Sequence, residues 1–516
     1  MDCVVTPLKT LMGFSVHLNV QFKFYNLPYT NIVAKNLVNF LYTPFLLRTV
    51  GQANYGLFQM TNSVMISLTL LSMGFSSAYV KFYVSYKVKK DEKNIKKLNA
   101  LYMLVFSGIS IISLLIGFII ILNANGLFGR TLSKNQLELA KNLMIIMVFD
   151  VALAFISSVF DSNITVNEHF IFQQSRQLMQ TFLVPIICIP MILGGIGVLS
   201  IEITQIMVTI LFFLINVNYC IRKLNMRFDF SELPIQLLKD VALFSFFIFL
   251  NQIVDLINNN VPNFILGVFQ GAKMVATFAI AVQIKNMFFM LSTSLSSIFI
   301  PKINKLVNQG KSKKALTNFM IKVGRMQMSV LFFVLGGFIV VGKYFVLLWA
   351  GRDNMEAYFL IIIMVLPAVI PLSQNVGIEI QRAMNMHVFR SIVYIFFALV
   401  NIIVTVFGSI KWGVFGASLG YVISILGANG VLMNWYYYKR MKLDMIRYWK
   451  ETLKVSVPFV VITTIMLLGQ LVVPISSIML FLLFGVLYVV GYITVYLFFS
   501  ANSYEKGLLH SFFKIW

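Results

Sequence analysis

Four ionisable side chains fall inside apolar stretches long enough to cross a membrane. They are Lys35 in NIVAKNLVNFLYTPFLL (31–47), Asp150 in MVFDVALAF (147–155), Asp255 in NQIVDLINNN (251–260) and Lys285 in AVQIKNMFF (281–289). A charge at such a depth costs roughly 2.5–3.5 kcal/mol on insertion scales unless it meets water or a partner. Two kinds of chemistry suit these groups. An ammonium in a water-poor cavity attracts phosphate or acidic groups, because attraction between charges grows as the dielectric falls. A carboxylate in the same setting can carry a proton or hold a cation.

Neutral amides surround them: Asn39, Asn251, Asn258, Asn259, Asn260, Gln283 and Asn286. In a wet cavity such amides hydrogen-bond hydroxyl groups. Asn31, Lys35, Asn39 and Tyr42 are spaced 4, 4 and 3, and Asn251, Asp255, Asn259 and Pro262 repeat that spacing. Each set therefore lies on one helix face. Each residue also has a plainer reading. Lys35 is near enough to a helix end to snorkel to the interface. Either lysine can simply neutralise Asp255, and Asp150 can sit in a lobe-holding ion pair. Single amides can bond between helices, worth roughly 0.6 kcal/mol each. Glu202, Glu379 and Arg382, near helix ends, read as interfacial.

The elements that position these groups are membrane helices. The chain has 516 residues, 59% hydrophobic and 11% charged, with a mean hydropathy of +0.85. Soluble globular chains carry about 25% charged residues. Apolar runs of roughly 20 residues predict about fourteen spans, among them 57–82, 177–195 and 240–268, the last containing Pro262. Lysine and arginine set their orientation. The segment KVKKDEKNIKKL (87–98) holds six lysines, and 301–325 and 439–454 are similarly basic. All three follow even-numbered helices, so that side is cytoplasmic and both termini are inside. The net charge of +23 is absorbed by these topology signals and by anionic head groups, not by nucleic acid. WYYYKR (435–440) reads as an aromatic interface belt. Residues 1–29 are neither a clean span nor a signal peptide and are expected to form a cytoplasmic extension.

Self-comparison shows a repeat. At an offset of 220, NIVAKNLVN (31–39) falls on NQIVDLINN (251–259) and LSMGFSS (71–77) on LSTSLSS (291–297). At 218, NEHF (167–170) falls on NMHV (385–388). Six helices per repeat give parallel halves. The expected divisions are 1–29, an N-lobe at 30–227 with helices 1–6, a C-lobe at 228–442 with helices 7–12, and helices 13–14 with a tail at 443–516. Lys35 and Asp255 are equivalent positions, so the two polar stripes should face each other or a wet cavity between the halves.

Nothing points to catalysis. Cys3, Cys188 and Cys220 make no metal or redox spacing, the four histidines are scattered, and no phosphate-cradling loop appears. No cofactor or metal is expected.

The stretches NIVAKNLVNFLYTPFLLRTVGQANYGLF (31–58), FILGVFQGAKMVATFAIAVQIKNM (264–287), IPKINKL (300–306) and GVFGASLGYVISILGANGVL (413–432) resemble the O-antigen-type polysaccharide flippases of the multidrug, oligosaccharidyl-lipid and polysaccharide (MOP) exporter superfamily. The resemblance covers about residues 30–500; the N-terminal extension departs from it. It implies an all-α polytopic protein with two six-helix lobes in a V and two extra C-terminal helices. It implies an isoprenoid-pyrophosphate-linked oligosaccharide substrate, turned over from the cytoplasmic to the periplasmic face of a bacterial inner membrane by alternating access. Membrane lipids, and a polymerase and chain-length regulator of the pathway, are the implied partners. Lys35, Lys285, Asn39, Asn251, Asn259 and Gln283 are the candidate cavity residues, with Asp150 and Asp255 the candidates for coupling to protons or sodium. The rivals are a cation-coupled drug exporter of the same fold, whose cavity should be net acidic, and a membrane glycosyltransferase or polymerase, which the short periplasmic loops disfavour.

Overall fold

The computed structural model describes residues 30–72, 74–233, 245, 249, 250 and 252–507. The expected extension at 1–29 therefore lies outside the described residues. Every regular element among them is helical. Eleven stretches are long and apolar enough to cross a membrane. Contacts divide the chain into two compact units between Ile253 and Val254.

The first unit contains α1 (residues 30–49), α2 (Gln52–Ser67), α3 (Phe75–Val88), α4 (Glu92–Leu122), α5 (Lys134–Val166), α6 (Phe170–Met191) and α7 (Leu199–Arg222). Its helices are apolar on their outer faces as well as in their core. On α4, Leu104, Ile111, Leu115 and Ile119 are exposed, as lipid-facing side chains are. The buried face carries small residues among larger apolar ones such as Phe106 and Ile109: Ser110 donates to the Ala152 carbonyl at 2.9 Å, and Gly117 lies against Val148. Small residues let membrane helices approach where hydrophobicity cannot drive association. One span expected at 57–82 is two helices. Gly74 takes a left-handed conformation (φ 72°, ψ 17°) that favours glycine, and α3 starts after it.

The second unit contains α8 (252–259), α9 (Val261–Phe269), α10 (Ala272–Ser297), α11 (Lys313–Ala350), α12 (Glu356–Ser373), α13 (Val388–Ile425), α14 (Ser456–Val472) and α15 (Ile478–Val495). The continuous helix expected over 240–268 is interrupted at Asn260 (φ −118°). Pro262 consequently sits in the first turn of α9, where its missing N–H costs nothing. The apolar stretch Val388–Lys439 has 52 residues, which as one helix would be about 78 Å long against about 30 Å of hydrocarbon. It is a hairpin that reverses at Gly413 (φ 56°). Ser424 donates to the Phe397 carbonyl at 2.8 Å, and Thr405 to that of Ala417 at 3.3 Å. A Cβ on Gly408 or Gly416 would strike the other's backbone.

The repeat offsets recur in the turns. Gly51 (φ 84°, ψ 158°) precedes α2 and Gly271 (φ 83°, ψ 176°) precedes α10, 220 residues apart. His169 caps α6 and His387 caps α13, 218 apart.

A buried cluster joins the hydrogen bonds of Gln470, Tyr488 and Tyr492 in tying the last helices to α11. Arg325 of α11 donates from Nε and Nη2 to the two Glu505 carboxylate oxygens at 2.7 and 2.8 Å. It also donates to the carbonyls of Glu451 and Ser500, both at 2.6 Å. Burial pushes the Glu505 carboxyl up, but the Arg325 guanidinium outweighs it and holds the group below the usual carboxylate range. A depressed carboxyl stabilises the fold at neutral pH and loses that contribution as pH falls through its folded value. Glu505→Gln should therefore lower the melting temperature of the purified protein at pH 7, by an amount on the order of 3 kcal/mol in stability. The difference from wild type should shrink only on acidification below about pH 4, between the unfolded carboxyl value and the lower folded one.

Candidate functional site

The expected stripe on α1 lines a cavity within its own unit. Asn31, Lys35, Asn39 and Tyr42 form one wall of a cavity of about 590 Å³, and Arg176, Gln177, Gln180 and Thr181 of α6 form another. Arg176 and Gln180, and likewise Gln177 and Thr181, are four residues apart, which keeps each pair on one face. Asn31 fixes the two helices together, donating to the Gln174 carbonyl at 2.8 Å and to its Oε1 at 2.5 Å. Arg176 is held from the other side. Its Nη1 lies 2.7 Å from the Asp161 carboxylate, which also accepts from Asn216 at 3.0 Å. The Arg176 Nε has no hydrogen-bond partner. Lys35 is exposed on its helix. One pinned guanidinium with a spare donor and one unpinned ammonium thus share a polar cavity.

Arg176 and Asp161 escaped the sequence reading. The run QQSRQLMQ (173–180) is polar enough to read as a loop, which placed the helix start at 177. In the structure α6 begins at Phe170 and carries that run inside. An arginine flanked by glutamines ahead of an apolar run was the available signal.

A second cavity of the first unit, about 480 Å³, is acidic. Asp150 of α5 and Glu202 of α7 line it with Asn62, Ser158 and Gln205. Gln205 also lines the basic cavity. Glu202 was expected at the interface; it is instead only 6% exposed, because the first turn of α7 packs inward. Among the described residues neither carboxylate belongs to an ion pair, and Asp150 Oδ1 has no hydrogen-bond partner. The lobe-holding pair considered for Asp150 is absent among them. Glu379 and Arg382 do pair at a helix end, at 2.6 Å.

The second unit holds a cavity of about 460 Å³. Asp255, Asn258 and Asn259 line it from α8, and Lys285 and Asn286 from α10. Lys285 is 2% exposed and donates to Asn259 Oδ1 at 3.3 Å. Its ammonium lies 4.4 Å from the centre of the Tyr421 ring. It makes no ion pair with Asp255. Gln283 does not line this cavity. It precedes Lys285 by two residues, about 200° around the helix, so the pair cannot share a face. Asn251 lies outside the described residues. No group of three or more metal-ligating side chains occurs among the described residues.

If these cavities hold water, cysteine labelling will show it. In a background lacking native cysteines, Lys35→Cys and Asn286→Cys should react with a membrane-impermeant maleimide in opened vesicles, and Leu115→Cys should not. Equal, slow labelling at all three would mean that the stripes face lipid.

The match to known proteins agrees with this architecture. The family model described as "Polysaccharide biosynthesis protein" matches residues 29–307, more than half of the chain. No curated protein sequence matches. Among solved structures, the chain is similar to the lipid II flippase MurJ in an inward closed conformation, with a TM-score of 0.69 at 16% identity over 91% of this chain and 99% of that one. It is also similar to an inward-facing multidrug resistance transporter of the MATE family, with a TM-score of 0.62 at 13% identity over 80% of this chain and 95% of that one. A Vibrio cholerae MATE transporter gives a TM-score of 0.51 at 13% identity, over 81% of this chain and 96% of that one. The chain belongs to the polysaccharide biosynthesis protein family, and it has the all-helical membrane fold of the flippases and exporters of the MOP superfamily.

Proposed function

We propose that this protein is a flippase for a lipid-linked oligosaccharide, of the undecaprenyl-pyrophosphate type. It carries the repeat unit from the cytoplasmic to the periplasmic face of a bacterial inner membrane, for O-antigen, capsule or a related surface glycan. The observation that carries this reading is the α1 stripe: a lysine and three hydrogen-bonding residues on one helix face line a cavity opposite Arg176. Lipid has no use for those groups, whereas a pyrophosphate bearing sugars has use for both the cations and the amides. Family membership supports the pathway, and the fold neighbours are transporters. The protein moves its substrate without covalent chemistry. Both termini are cytoplasmic, residues 30–227 and 228–442 are the halves that exchange access, and 443–516 is an addition to them. A polymerase and a chain-length regulator take over at the far face.

Substrate binding partly neutralises Lys35 and Lys285 and favours closure. Asp150, with Glu202 beside it, takes up a proton or sodium ion to reset the carrier; Asp255 is the equivalent candidate in the second unit. The acidic cavity also suits a drug exporter, but the cavity holding Lys35 and Arg176 has the wrong sign for cationic drugs, and in the third cavity Lys285 offsets Asp255.

Complementation of a deletion strain tests the reading. Wild type should restore surface glycan and clear accumulated lipid-linked repeat units, and Lys35→Ala should restore about tenfold less at equal protein level. A deletion that alters only drug susceptibility would remove the flippase reading. Asp150→Asn should make translocation in reconstituted vesicles insensitive to ionophores. Wild-type translocation already indifferent to ionophores would remove the coupling step.

A further inference from the structure

The second-unit cavity has a lining that specifies more than a lipid-linked glycan. Its polar part is amide: Asn258, Asn259, Asn286, Asn375 and Asn429. Its apolar part includes the rings of Phe289, Tyr394, Phe397 and Tyr421. Amides pair with hydroxyl groups in both directions, and ring faces cover the C–H faces of a pyranose. At about 460 Å³ the space is that of a small-molecule site.

One buried cation stands in this saccharide-like lining. Lys285 is 2% exposed, carries three N–H donors and uses one, on Asn259. Among the described residues no carboxylate lies within 4 Å of it. Beside it, the hydroxyl of Tyr421 is buried and has no hydrogen-bond partner. Buried donors without partners are costly unless a ligand completes them. An ammonium with donors to spare and an unpartnered hydroxyl, both lining one cavity and with the ammonium set against the tyrosine ring, describe an acceptor bearing a negative charge.

The charge expected of that acceptor is single. Asp255 lines the same cavity, so its carboxylate offsets the ammonium and repels a second negative charge. A pyrophosphate would bring two charges or more to one cation. A sugar carboxylate brings one, on a ring that the amides and aromatic faces can hold.

Building on the flippase reading, we propose that this cavity is a subsite for an acidic sugar of the repeat unit, with the sugar carboxylate bound by Lys285 Nζ and the Tyr421 hydroxyl. Tyr421 is then a specificity-determining residue that sequence position alone did not single out.

Direct binding tests this without transport. Full-length protein in nanodiscs would be titrated with a short uronic-acid oligosaccharide, its neutral hexose counterpart and inorganic pyrophosphate. The acidic oligosaccharide should bind about tenfold or more tightly than the neutral one. Lys285→Gln should abolish that preference. Tyr421→Phe, which keeps the ring and removes only the hydroxyl, should cut it several-fold in a protein that melts like wild type. Equal binding of acidic and neutral sugars overturns the proposal, as does pyrophosphate competing at the Lys285-dependent site. An acidic preference in a protein whose deletion leaves surface glycan intact supports the subsite while removing the flippase reading. Restored surface glycan with no acidic preference does the reverse.

Discussion

Hydrocarbon does not hydrogen-bond, and that constraint shapes this protein more than any single contact. Every backbone amide of a span must be satisfied within its helix, so the described elements are helices throughout. Every side-chain charge must find a partner or a wet space. Arg325 finds Glu505, Arg176 finds Asp161, and Lys285 finds an amide and an aromatic face inside a cavity. Where the chain must bend, it does so at Gly74, at Asn260 and at Gly413, positions whose residues tolerate a locally broken ladder.

The two units use this constraint with opposite signs at equivalent places. Lys35 and Asp255 occupy the same repeat position, and each lines a cavity of its own unit. The basic member has an arginine opposite it, and the acidic member has a lysine in its cavity. The two repeat-equivalent positions thus carry opposite charges, and each cavity mixes charge with amides.

Much of this was legible in the sequence, because helical spacing is a strong signal in an apolar chain. The α1 stripe reads directly as one face. The repeat was visible in short strings, and its glycine and histidine turns at Gly51, Gly271, His169 and His387 keep the same offsets. The residues that went unread have a common cause: hydropathy measures average polarity and cannot see direction. Arg176 was lost because its polar run looked like a loop. Glu202 was assigned to the interface because it is near a helix end, although the first turn of α7 faces inward. Gln283 was grouped with Lys285 by proximity along the chain, where rotation around the helix separates them. Asn260 shows the same limit: a proline two residues on reads as a kink in one helix, and only backbone angles show a second helix starting.

Arg325 enters the membrane in α11, about 180 residues before Glu505 is made. During synthesis a guanidinium therefore waits in a partly assembled bundle for a carboxylate that the ribosome has yet to add. A product that stops short of Glu505 leaves the Arg325 guanidinium buried without its carboxylate, and an uncompensated buried charge costs more than the intact pair gains.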